Sequence, residues 1–355
     1  MLRILLFLFL FITLVVSTIA GGGYWVYKNK LHMPIALSED VHHMVEPNTT
    51  LRTVAINLMD KKLLNYPTAL LWVNLARWQK KAHKIKAGEY LINVGITPQQ
   101  LLDKMIAGKT VKYKLTIPEG WNFKQVLAAI RKHPKLIQTL DDNDTIMAKL
   151  GFANQHPEGR FYPDTYIFTS KTTDVALLKR AYKMMQSKLA AAWKKRDDNL
   201  PLKTPYQALI LASIIEKETA AAVERPLIGG VFTRRLKKGM LLQTDPTVIY
   251  ALSEAYDGKI YKRDLRIDSP YNTYRYKGLP PTPIAMPGIA AIEAALHPSE
   301  GTTLYFVAKG NQGYHYFSSN LKEHDCAVIK YLLTKHSSSY KRWCRKRPSC
   351  QACRS

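Results

Sequence analysis

The sequence predicts an α+β protein in which one N-terminal transmembrane helix precedes a small α+β domain and a larger mixed α+β domain with a glutamate-bearing helix. Three observations lead to this prediction. The chain has 355 residues, enough for two domains of ordinary size. Its first thirty residues are almost entirely apolar. In the remainder helical periodicity alternates with short apolar runs, and the 46% hydrophobic and 22% charged content excludes a disordered chain and a multi-span membrane protein.

The N-terminal segment predicts a single membrane anchor over residues 1–30. No charge interrupts the run from Ile4 to Ala20, and with the residues that follow the apolar stretch is about as long as a helix needs to cross a bilayer. Tyr24 and Trp25 follow where interfacial aromatic residues belong. The alternative is a cleaved signal peptide, because residues 18–20 resemble a small-x-small cleavage site.

Positive charge flanks this segment on both sides and therefore does not set its orientation. Since no second span is predicted, almost the whole chain lies on one side of the membrane. We expect a single-pass protein of the cytoplasmic (inner) membrane, with its folded part on the outer, periplasmic side.

The chain is strongly basic. Lysine and arginine number 52 against 27 aspartate and glutamate, which gives a formal charge of +25. A nucleic-acid-binding protein has this kind of balance. The basic residues are spread along the chain, however, and no RNP-like, zinc-finger or helix-turn-helix signature accompanies them. Work on an anionic polymer, or close to anionic lipid headgroups, explains the charge equally well.

The four cysteines lie near the C-terminus, at Cys326, Cys344, Cys350 and Cys353. An oxidising compartment permits disulfides, and four cysteines allow three pairings. The last two cysteines form a CxxC, so a metal-binding or redox motif is an alternative to structural disulfides. No second CxxC or paired histidines support it, so we expect no metal and no cofactor. Residues 338–355 are predicted to be a basic, poorly ordered tail.

Residues 31–50 are predicted to be a linker and residues 51–135 a small α+β domain. Thr97, Gln100 and Gly108 have the spacing of a capping box and a C-cap around one helix. The other elements expected in this domain are two amphipathic helices over 51–64 and 68–81, strands over 86–94 and 111–120, and a helix that begins at Asn122.

Residues 136–337 are predicted to form the second, larger domain. Its expected helices cover 173–196, 204–224 and 226–239, with two further helices that begin at Thr244 or Asp245 and at Asn320. A proline-rich loop over 269–288 is of the kind that carries function in compact domains. A hairpin is expected across Gly310 to Gly313.

The stretch LASIIEKETA, residues 211–220, places two glutamates in a helix that is otherwise apolar. At about 100° per residue their side chains project roughly 200° apart. Glu218 falls in an apolar stripe with Leu211 and Ile215, whereas Glu216 lies on the less apolar side. Glu216 is therefore interpreted as a surface or supporting residue.

Burial disfavours the charged form of a carboxyl, so the pKa of Glu218 is expected to rise to about 6 or 7. A general acid that protonates a glycosidic oxygen needs this state. The alternative is that Arg225 or Arg234 neutralises Glu218 in a core ion pair.

Five long motifs resemble those of the endolytic murein transglycosylases (MltG/YceG-like). The resemblance covers about residues 45–335, in the family's order and spacing. The motifs are PEGRFYPDTY at 157–166, ASIIEKETA at 212–220, VFTRRLKKGMLLQTDPTVIYAL at 231–252, YNTYRYKGLPPTPIAMPG at 271–288 and LYFVAKGNQGYHYFSSNLKEH at 304–324. The stretch from about 341 to 355 goes beyond the family pattern.

This resemblance implies a membrane-anchored lyase of cell-wall biogenesis and degradation. The family cleaves the β-1,4 bond between N-acetylmuramic acid and N-acetylglucosamine within nascent glycan strands and leaves 1,6-anhydro-N-acetylmuramic acid ends. Its catalytic glutamate corresponds to Glu218 here. The resemblance also implies a LysM-like, glycan-binding subdomain over 51–135 and work beside peptidoglycan synthases and the elongation or division machinery.

One carboxylate suffices for such a reaction, because the sugar's own C6 hydroxyl attacks and no water has to be activated. Asp164 and Asp245 are the carboxylates expected near Glu218, unless both cap turns or helices. If Asp245 were instead an essential nucleophile, the products would carry reducing ends. The helix that opens at Thr244 also presents backbone N–H groups to a substrate oxygen.

The substrate is expected to contact Gln243, Thr244, Asp245, Asn272 and Tyr274, and Tyr271 or Tyr316 is expected to stack on a sugar. Each of these residues has the alternative role of fixing a loop. His315 is interpreted as a structural histidine rather than a base.

Two rival functions come from other classes. A non-catalytic, membrane-anchored tether for peptidoglycan would keep the glycan-binding part without needing a protonated acid at position 218. An exported nucleic-acid binder rests on charge alone, and no nucleic-acid partner is expected.

Overall fold

The computed structural model describes residues 2–140, 146–310 and 313–353, without the side chains of residues 2, 3 and 5. The chain divides into two compact units. Unit 1 comprises residues 1–113 and 167–171, and unit 2 comprises residues 114–166 and 172–355. Helices alternate with small two-stranded sheets throughout. The predicted α+β class is confirmed.

Helix α1, Leu2–Leu31, is the apolar segment that the sequence predicts as an anchor. Residues 6–31 have a mean hydropathy of 2.2 over the most apolar window, and none of that window is buried in the protein. Within the described ranges it is the one helix that is long and apolar enough to cross a membrane. Its C-terminal end is different, because Leu31 is buried in the core of unit 1 and Tyr27 packs against that core.

Unit 1 is built from two antiparallel strands and three helices besides α1. Strand β1 is Val41–Val45, α2 is Leu51–Asp60, α3 is Tyr66–Trp78, β2 is Gly88–Ile92 and α4 is Pro98–Ala107. The register of β1 and β2 runs from the Val41–Ile92 pair to the Val45–Gly88 pair. The core is centred on fully buried Trp72, Tyr90 and Leu101. Helix α4 has the capping box and left-handed C-cap that the sequence predicts.

The prediction of a linker over residues 31–50 is wrong for this part of the chain. Strand β1 lies within it, and Ile35 is buried with its N–H donating to the Ile96 carbonyl at 2.8 Å. The strand has only five residues, two of them histidines, so it lacks a long apolar run. Its partner β2 lies more than forty residues away, which local periodicity does not register.

Unit 2 contains nine helices and two complete strands within its described residues, and two further strands cross its boundary with unit 1. The strands are β3 Tyr113–Thr116, β4 Thr165–Phe168, β5 Tyr305–Ala308 and β6 His315–Ser318. The helices are α5 Phe123–Lys132, α6 Ile146–Leu150, α7 Asp174–Lys194, α8 Pro205–Glu218, α9 Arg225–Lys237, α10 Asp245–Leu252, α11 Ile289–Leu296, α12 Leu321–Tyr331 and α13 Ser338–Lys346. β3 pairs with β4, and the division between the units falls within these two strands. β5 and β6 form the predicted hairpin, whose turn residues 311–312 lie outside the described residues.

Helix α8 lies at the centre of unit 2, where α7, α9, α10 and α11 contact it. Every residue from Ala208 to Ile215 is buried, so the helix has no solvent-exposed face over that length. Helices α9 and α11 approach closely because Gly229 has no side chain. A Cβ at that position would lie 2.4 Å from the Ala294 carbonyl oxygen. This packing fixes α8 as the rigid support of the site described below.

The boundary between the units differs from the predicted boundary at residue 135. Helix α5 belongs to unit 2, where the preceding loop is tied down by two backbone hydrogen bonds. The Gly120 N–H donates to the Met286 carbonyl at 2.9 Å, and the Met286 N–H donates to the Trp121 carbonyl at 2.7 Å. These contacts span more than 160 residues, so the local sequence gives no sign of them.

Residues 338–353 of the C-terminal tail are folded, which corrects the prediction of poor order for this stretch. Helix α13 is followed by a short turn, and disulfides join Cys326 to Cys350 and Cys344 to Cys353. The two cysteines of the CxxC therefore pair with different partners rather than with each other. In the part of the chain that the structure describes, no group of three or more His, Cys, Asp or Glu side chains is placed to hold a metal ion.

Candidate active site

Glu218 is the last residue of α8, which ends six residues earlier than the sequence predicts. Thr219 turns the backbone to an extended conformation, and its hydroxyl accepts a hydrogen bond from the Ala221 N–H at 3.0 Å. A short 3-10 turn over Ala222–Glu224 follows. A side chain at a helix terminus faces the loops beyond it, so the early stop directs Glu218 towards the segment that precedes α10.

The carboxyl of Glu218 is half-buried and accepts a hydrogen bond from the hydroxyl of Thr244 at Oε1. Among the described residues no group donates to Oε2, and no Lys, Arg or His forms an ion pair with this glutamate. Burial raises the pKa of Glu218 to about 7, and the nearby negative charge of Asp245 acts in the same direction. The Thr244 hydrogen bond and the charge of Arg235 partly oppose this shift of the pKa.

Thr244 is held in place by hydrogen bonds with two other buried threonines, which also bond to each other. Its N–H donates to the Thr273 hydroxyl at 3.1 Å, and its carbonyl accepts from the Thr247 hydroxyl at 2.8 Å. The hydroxyls of Thr247 and Thr273 are themselves 2.8 Å apart. Thr244 occupies the predicted N-cap position of α10, but its hydroxyl donates to Glu218 instead of capping the helix.

The first turn of α10 offers fewer free backbone N–H groups to a substrate than the sequence suggests. The N–H of Thr244 is taken by Thr273, and Pro246 has no N–H. Asp245 therefore supplies the N–H that is left at this end of the helix.

Arg235 shapes the loop that leads to Thr244. Its Nη1 donates to the carbonyl of Leu242 at 2.8 Å and to Oε1 of Gln243 at 3.4 Å, and its Nε donates to the Leu304 carbonyl at 2.7 Å. Gln243 is exposed and adopts a left-handed backbone conformation with φ 51°. This conformation is disfavoured for a residue with a side chain, so the arginine contacts stabilise it.

Asp245 and Tyr274 form a second polar pair beside Glu218. The Tyr274 hydroxyl donates to Oδ1 of Asp245 at 2.5 Å. Burial of the phenol, and then this hydrogen bond to a carboxylate, raise the pKa of Tyr274 above its ordinary value. Asp245 itself is exposed. Of the predicted site residues, Thr244, Asp245 and Tyr274 therefore gather with Glu218.

Asn272 is placed differently from the other predicted residues. It is fully buried, and its Nδ2 donates to the carbonyls of Leu265 at 3.1 Å and Ile267 at 2.9 Å. Its Oδ1 accepts from the Tyr274 N–H at 3.0 Å. These contacts support the loop-fixing alternative, in which Asn272 positions Tyr274 and does not touch substrate.

Of the two interpretations of Glu216, as a surface or as a supporting residue, the structure fits the supporting one and contradicts the surface one. Its side chain is 5% exposed and accepts from Arg225 Nη2 at 2.8 Å and from the Gly288 N–H at 2.9 Å. Burial raises its pKa, which these two partners oppose. The stripe argument failed here because α8 is buried on all sides. The core ion pair considered for Glu218 is formed by Glu216 instead.

The remaining candidates serve the loops and the hairpin. Asp164 is exposed, and its carboxylate accepts from the N–H of the next residue at 2.7 Å, which is the turn-capping alternative. The hydroxyl of Tyr271 lies 2.8 Å from that of Thr282, and Tyr316 donates to Glu323 at 2.9 Å. His315 pairs with the buried Glu224 at 2.7 Å, as expected of a structural histidine.

Sequence reasoning missed Arg235 and Thr273. The sequence explained the basic residues at the end of α9 as partners of the helix dipole, yet Arg235 is buried. Thr273 gave no signal beyond its place in the proline-rich loop.

Similarity to known proteins shows the family of this chain. The sequence profile of the YceG-like family matches residues 44–330. The chain belongs to the YceG-like family.

Two relatives and one solved structure of similar proteins extend the comparison. The chain is 37% identical over 276 residues to the endolytic murein transglycosylase of Bacillus subtilis, a match that covers 72% of this chain and 76% of the relative. It is 28% identical over 367 residues to the protein of the same name from Streptococcus pneumoniae, which covers 90% of this chain and 64% of that protein. A crystal structure of a yceG-like protein from Listeria monocytogenes has 33% identity and a TM-score of 0.53, and the match covers 81% of this chain and 99% of that one.

Proposed function

We propose that this member of the YceG-like family is an endolytic murein transglycosylase in which Glu218 is the general acid and base. The names of the relatives in Bacillus and Streptococcus support the reaction. The observation that carries the assignment of Glu218 is its environment. It is a half-buried carboxyl with a pKa raised to about 7 by burial, it accepts one hydrogen bond from Thr244, and Oε2 faces no donor in the described chain.

In the first step, protonated Glu218 gives its proton to the oxygen between C1 of N-acetylmuramic acid and C4 of N-acetylglucosamine. The bond from C1 to that oxygen breaks, and the N-acetylglucosamine leaves with a C4 hydroxyl. A carboxyl that still holds its proton near neutral pH is suited to this step. Thr244 keeps Oε1 occupied, so the proton is carried on Oε2.

In the second step the muramyl C6 hydroxyl attacks C1 and loses its proton to the Glu218 carboxylate. The C6 oxygen and C1 are now bonded in a 1,6-anhydro ring, and Glu218 is protonated again. No water is consumed, so no second carboxylate is needed to activate one. The positive charge of Arg235 and the Thr244 hydroxyl stabilise the carboxylate between the two steps.

Gln243, Thr244, Asp245 and Tyr274 are proposed to contact the sugar, with Asn272 holding Tyr274 in place. The exposure of Gln243 and Asp245 supports this role, because their polar groups are accessible to a strand. Asp245 keeps its hydrogen bond from Tyr274 and acts by orientation and charge, not as a nucleophile.

Unit 1 is proposed to be a LysM-like glycan-binding subdomain held at the membrane by α1. A cleft of about 460 Å³ in unit 1, lined by Arg52, Arg77 and His83 among others, supports the binding of a polar chain. The catalytic part is proposed to lie on the outer, periplasmic side of the cytoplasmic membrane, and the two disulfides of unit 2, which suit an oxidising compartment, support this. The family resemblance further implies peptidoglycan synthases as neighbours, which co-purification from cross-linked membranes tests.

The experiment that tests the catalytic assignment compares Glu218→Gln with Glu300→Gln, a matched change at an exposed glutamate in the loop after α11. Both full-length variants are purified in detergent and incubated with isolated glycan strands, and new chain ends are counted over time. We expect Glu218→Gln to lose activity roughly 10²–10⁴-fold and Glu300→Gln to keep it. Full activity of Glu218→Gln would contradict the assignment. Binding of strands without cleavage by the natural sequence would favour the tether.

A further inference from the structure

A cavity of about 580 Å³ in unit 2 is lined in part by residues next in sequence to the catalytic site. Two of its lining residues, Lys217 and Pro246, are the sequence neighbours of Glu218 and Asp245. The rest of its wall comes from the first turn of α5, from one face of α10 and from the proline-rich loop. A volume of this size is in the range of ligand-binding pockets and exceeds what one acetyl group would fill.

The two sides of the cavity differ in chemistry. Tyr250 and Tyr271 form an apolar side, with ring centroids 4.9 Å apart. Other lining residues make a donor-rich side. Asn122 and Gln125 use their amide oxygens to accept each other's backbone N–H at 2.9 Å, which leaves both NH₂ groups without a partner among the described residues.

Lys217 adds a cation to this donor-rich side. Its Nζ donates to the Gly120 carbonyl at 3.3 Å, and no carboxylate of the described chain lies within ion-pair distance of it. The other charged residues that line the cavity are already paired or fixed. Lys124 forms an ion pair with Glu254 in which both side chains are largely exposed, and buried Glu158 accepts from the Tyr250 hydroxyl at 3.0 Å.

This arrangement suits a ligand with an apolar part and a carboxylate. In murein, the muramyl residue whose C1 lies at Glu218 also carries, through the lactyl group on C3, a peptide stem with free carboxylates. The stem must leave the glycan strand close to the cleaved bond, and Lys217 and Pro246 in the cavity wall are next in sequence to Glu218 and Asp245. A neutral sugar would make no use of the unpaired ammonium of Lys217.

We propose that this cavity receives the peptide stem of the muramyl residue that is being cleaved, with Lys217 binding a stem carboxylate and Asn122 and Gln125 donating to its carbonyl oxygens. The proposal rests on the proposed function of Glu218. Such a subsite makes the enzyme selective for glycan strands that still carry their peptide stems.

The test uses two substrates and three variants of the full-length protein in detergent. One substrate is glycan strands with peptide stems, and the other is the same strands after the lactyl amide bond has been hydrolysed. The variants are Lys217→Gln, the charge-conserving Lys217→Arg, and Lys238→Gln as a control at an exposed lysine after α9. The readout is kcat/KM for new chain ends.

We expect Lys217→Gln to lose about tenfold in kcat/KM on stem-bearing strands, because one charge-assisted hydrogen bond is lost, and to match the natural sequence on bare strands. Lys217→Arg should keep most of the selectivity, and Lys238→Gln all of it. An equal loss on both substrates, or no preference of the natural sequence for stem-bearing strands, would overturn the proposal. Failure of the natural sequence on both strands would overturn the proposed function and this subsite with it.

Discussion

The hydroxyl of Thr244 donates a hydrogen bond to Oε1 of Glu218, which joins the start of α10 to the end of α8. The threonine is 1% exposed and is fixed by Thr247 and Thr273, so it offers Glu218 one rigid donor. Burial and this single donor act on the pKa of Glu218 in opposite directions, and burial dominates. The result is a carboxyl whose pKa of about 7 suits both proton donation and proton acceptance near neutral pH.

The alkaline limb of the pH–rate profile should shift in opposite directions in two variants. The acid must be protonated, so kcat/KM should fall as the pH rises through about 7. Thr244→Val removes an interaction that lowers the Glu218 pKa, so the alkaline limb should move to higher pH. Asp245→Asn removes a negative charge that raises this pKa, so the limb should move to lower pH. Profiles that shift in the same direction, or not at all, would contradict this account.

Glu216 is expected to contribute to the stability of unit 2, whereas Glu218 is expected to contribute to catalysis. Glu216→Ala leaves buried Arg225 with the half-exposed Glu119 at 3.7 Å as its remaining carboxylate. Breaking a buried ion pair typically costs about 3–5 kcal/mol, so the Tm of unit 2 should fall strongly. Glu254→Ala breaks an exposed ion pair and should leave the Tm nearly unchanged. Thermal unfolding measures both. Replacing Glu216 and Arg225 together by Met should recover much of the loss, and a double variant as unstable as Glu216→Ala would count against the ion pair as its cause.

The raised pKa of Glu218 also predicts a pH-dependent stability difference. The unfolded chain loses this proton near pH 4.5, whereas the folded protein holds it to about pH 7. The folded state is therefore penalised increasingly between these values and by a constant amount above them. Glu218→Gln should be more stable than the natural sequence at pH 8 by roughly 3 kcal/mol, and the gain should vanish at pH 4. A gain that is the same at both pH values would show that the pKa of Glu218 is unshifted.

The C-terminal disulfides should stabilise the last helices without serving catalysis. Cys326–Cys350 closes a loop with a sequence separation of 24, for which loop-closure entropy predicts a stabilisation of about 3 kcal/mol. In Cys326→Ala/Cys350→Ala we expect faster hydrogen exchange in α13 and unchanged cleavage at Glu218. Peptide mapping without reductant tests the pairing directly. A peptide that links Cys350 to Cys353 would contradict it.

Local signals in the sequence predicted the elements that depend on local interactions. Thr97, Gln100 and Gly108 bound α4 as predicted, because a capping box and a left-handed C-cap are complete within one helix. Strand β1 was missed because its pairing is long-range. The end of α8 was placed too late because the Thr219 hydroxyl bends the chain there, an effect that apolar periodicity does not contain.

The same difference between local and long-range interactions explains which residues of the candidate site the sequence predicted. Glu218 was identified from its apolar setting and from the resemblance, whereas Glu216 was misplaced because its partner Arg225 and the neighbours that enclose α8 are set by tertiary packing. Asn272 was chosen as a polar residue in a functional loop, and its burial was not visible in the sequence. The role of Arg235 depends on contacts with Leu304 and Tyr305, almost seventy residues away.

The measurement that tests the central claim most directly is mass analysis of the muropeptides released by the full-length protein, with Glu218→Gln in parallel. A single general acid and base with internal attack by the C6 hydroxyl predicts 1,6-anhydro ends, lighter by one water than reducing ends, and none from the variant. Reducing ends from the natural sequence would contradict the account, because water would then be the nucleophile and a second carboxylate, with Asp245 the first to examine, would be required.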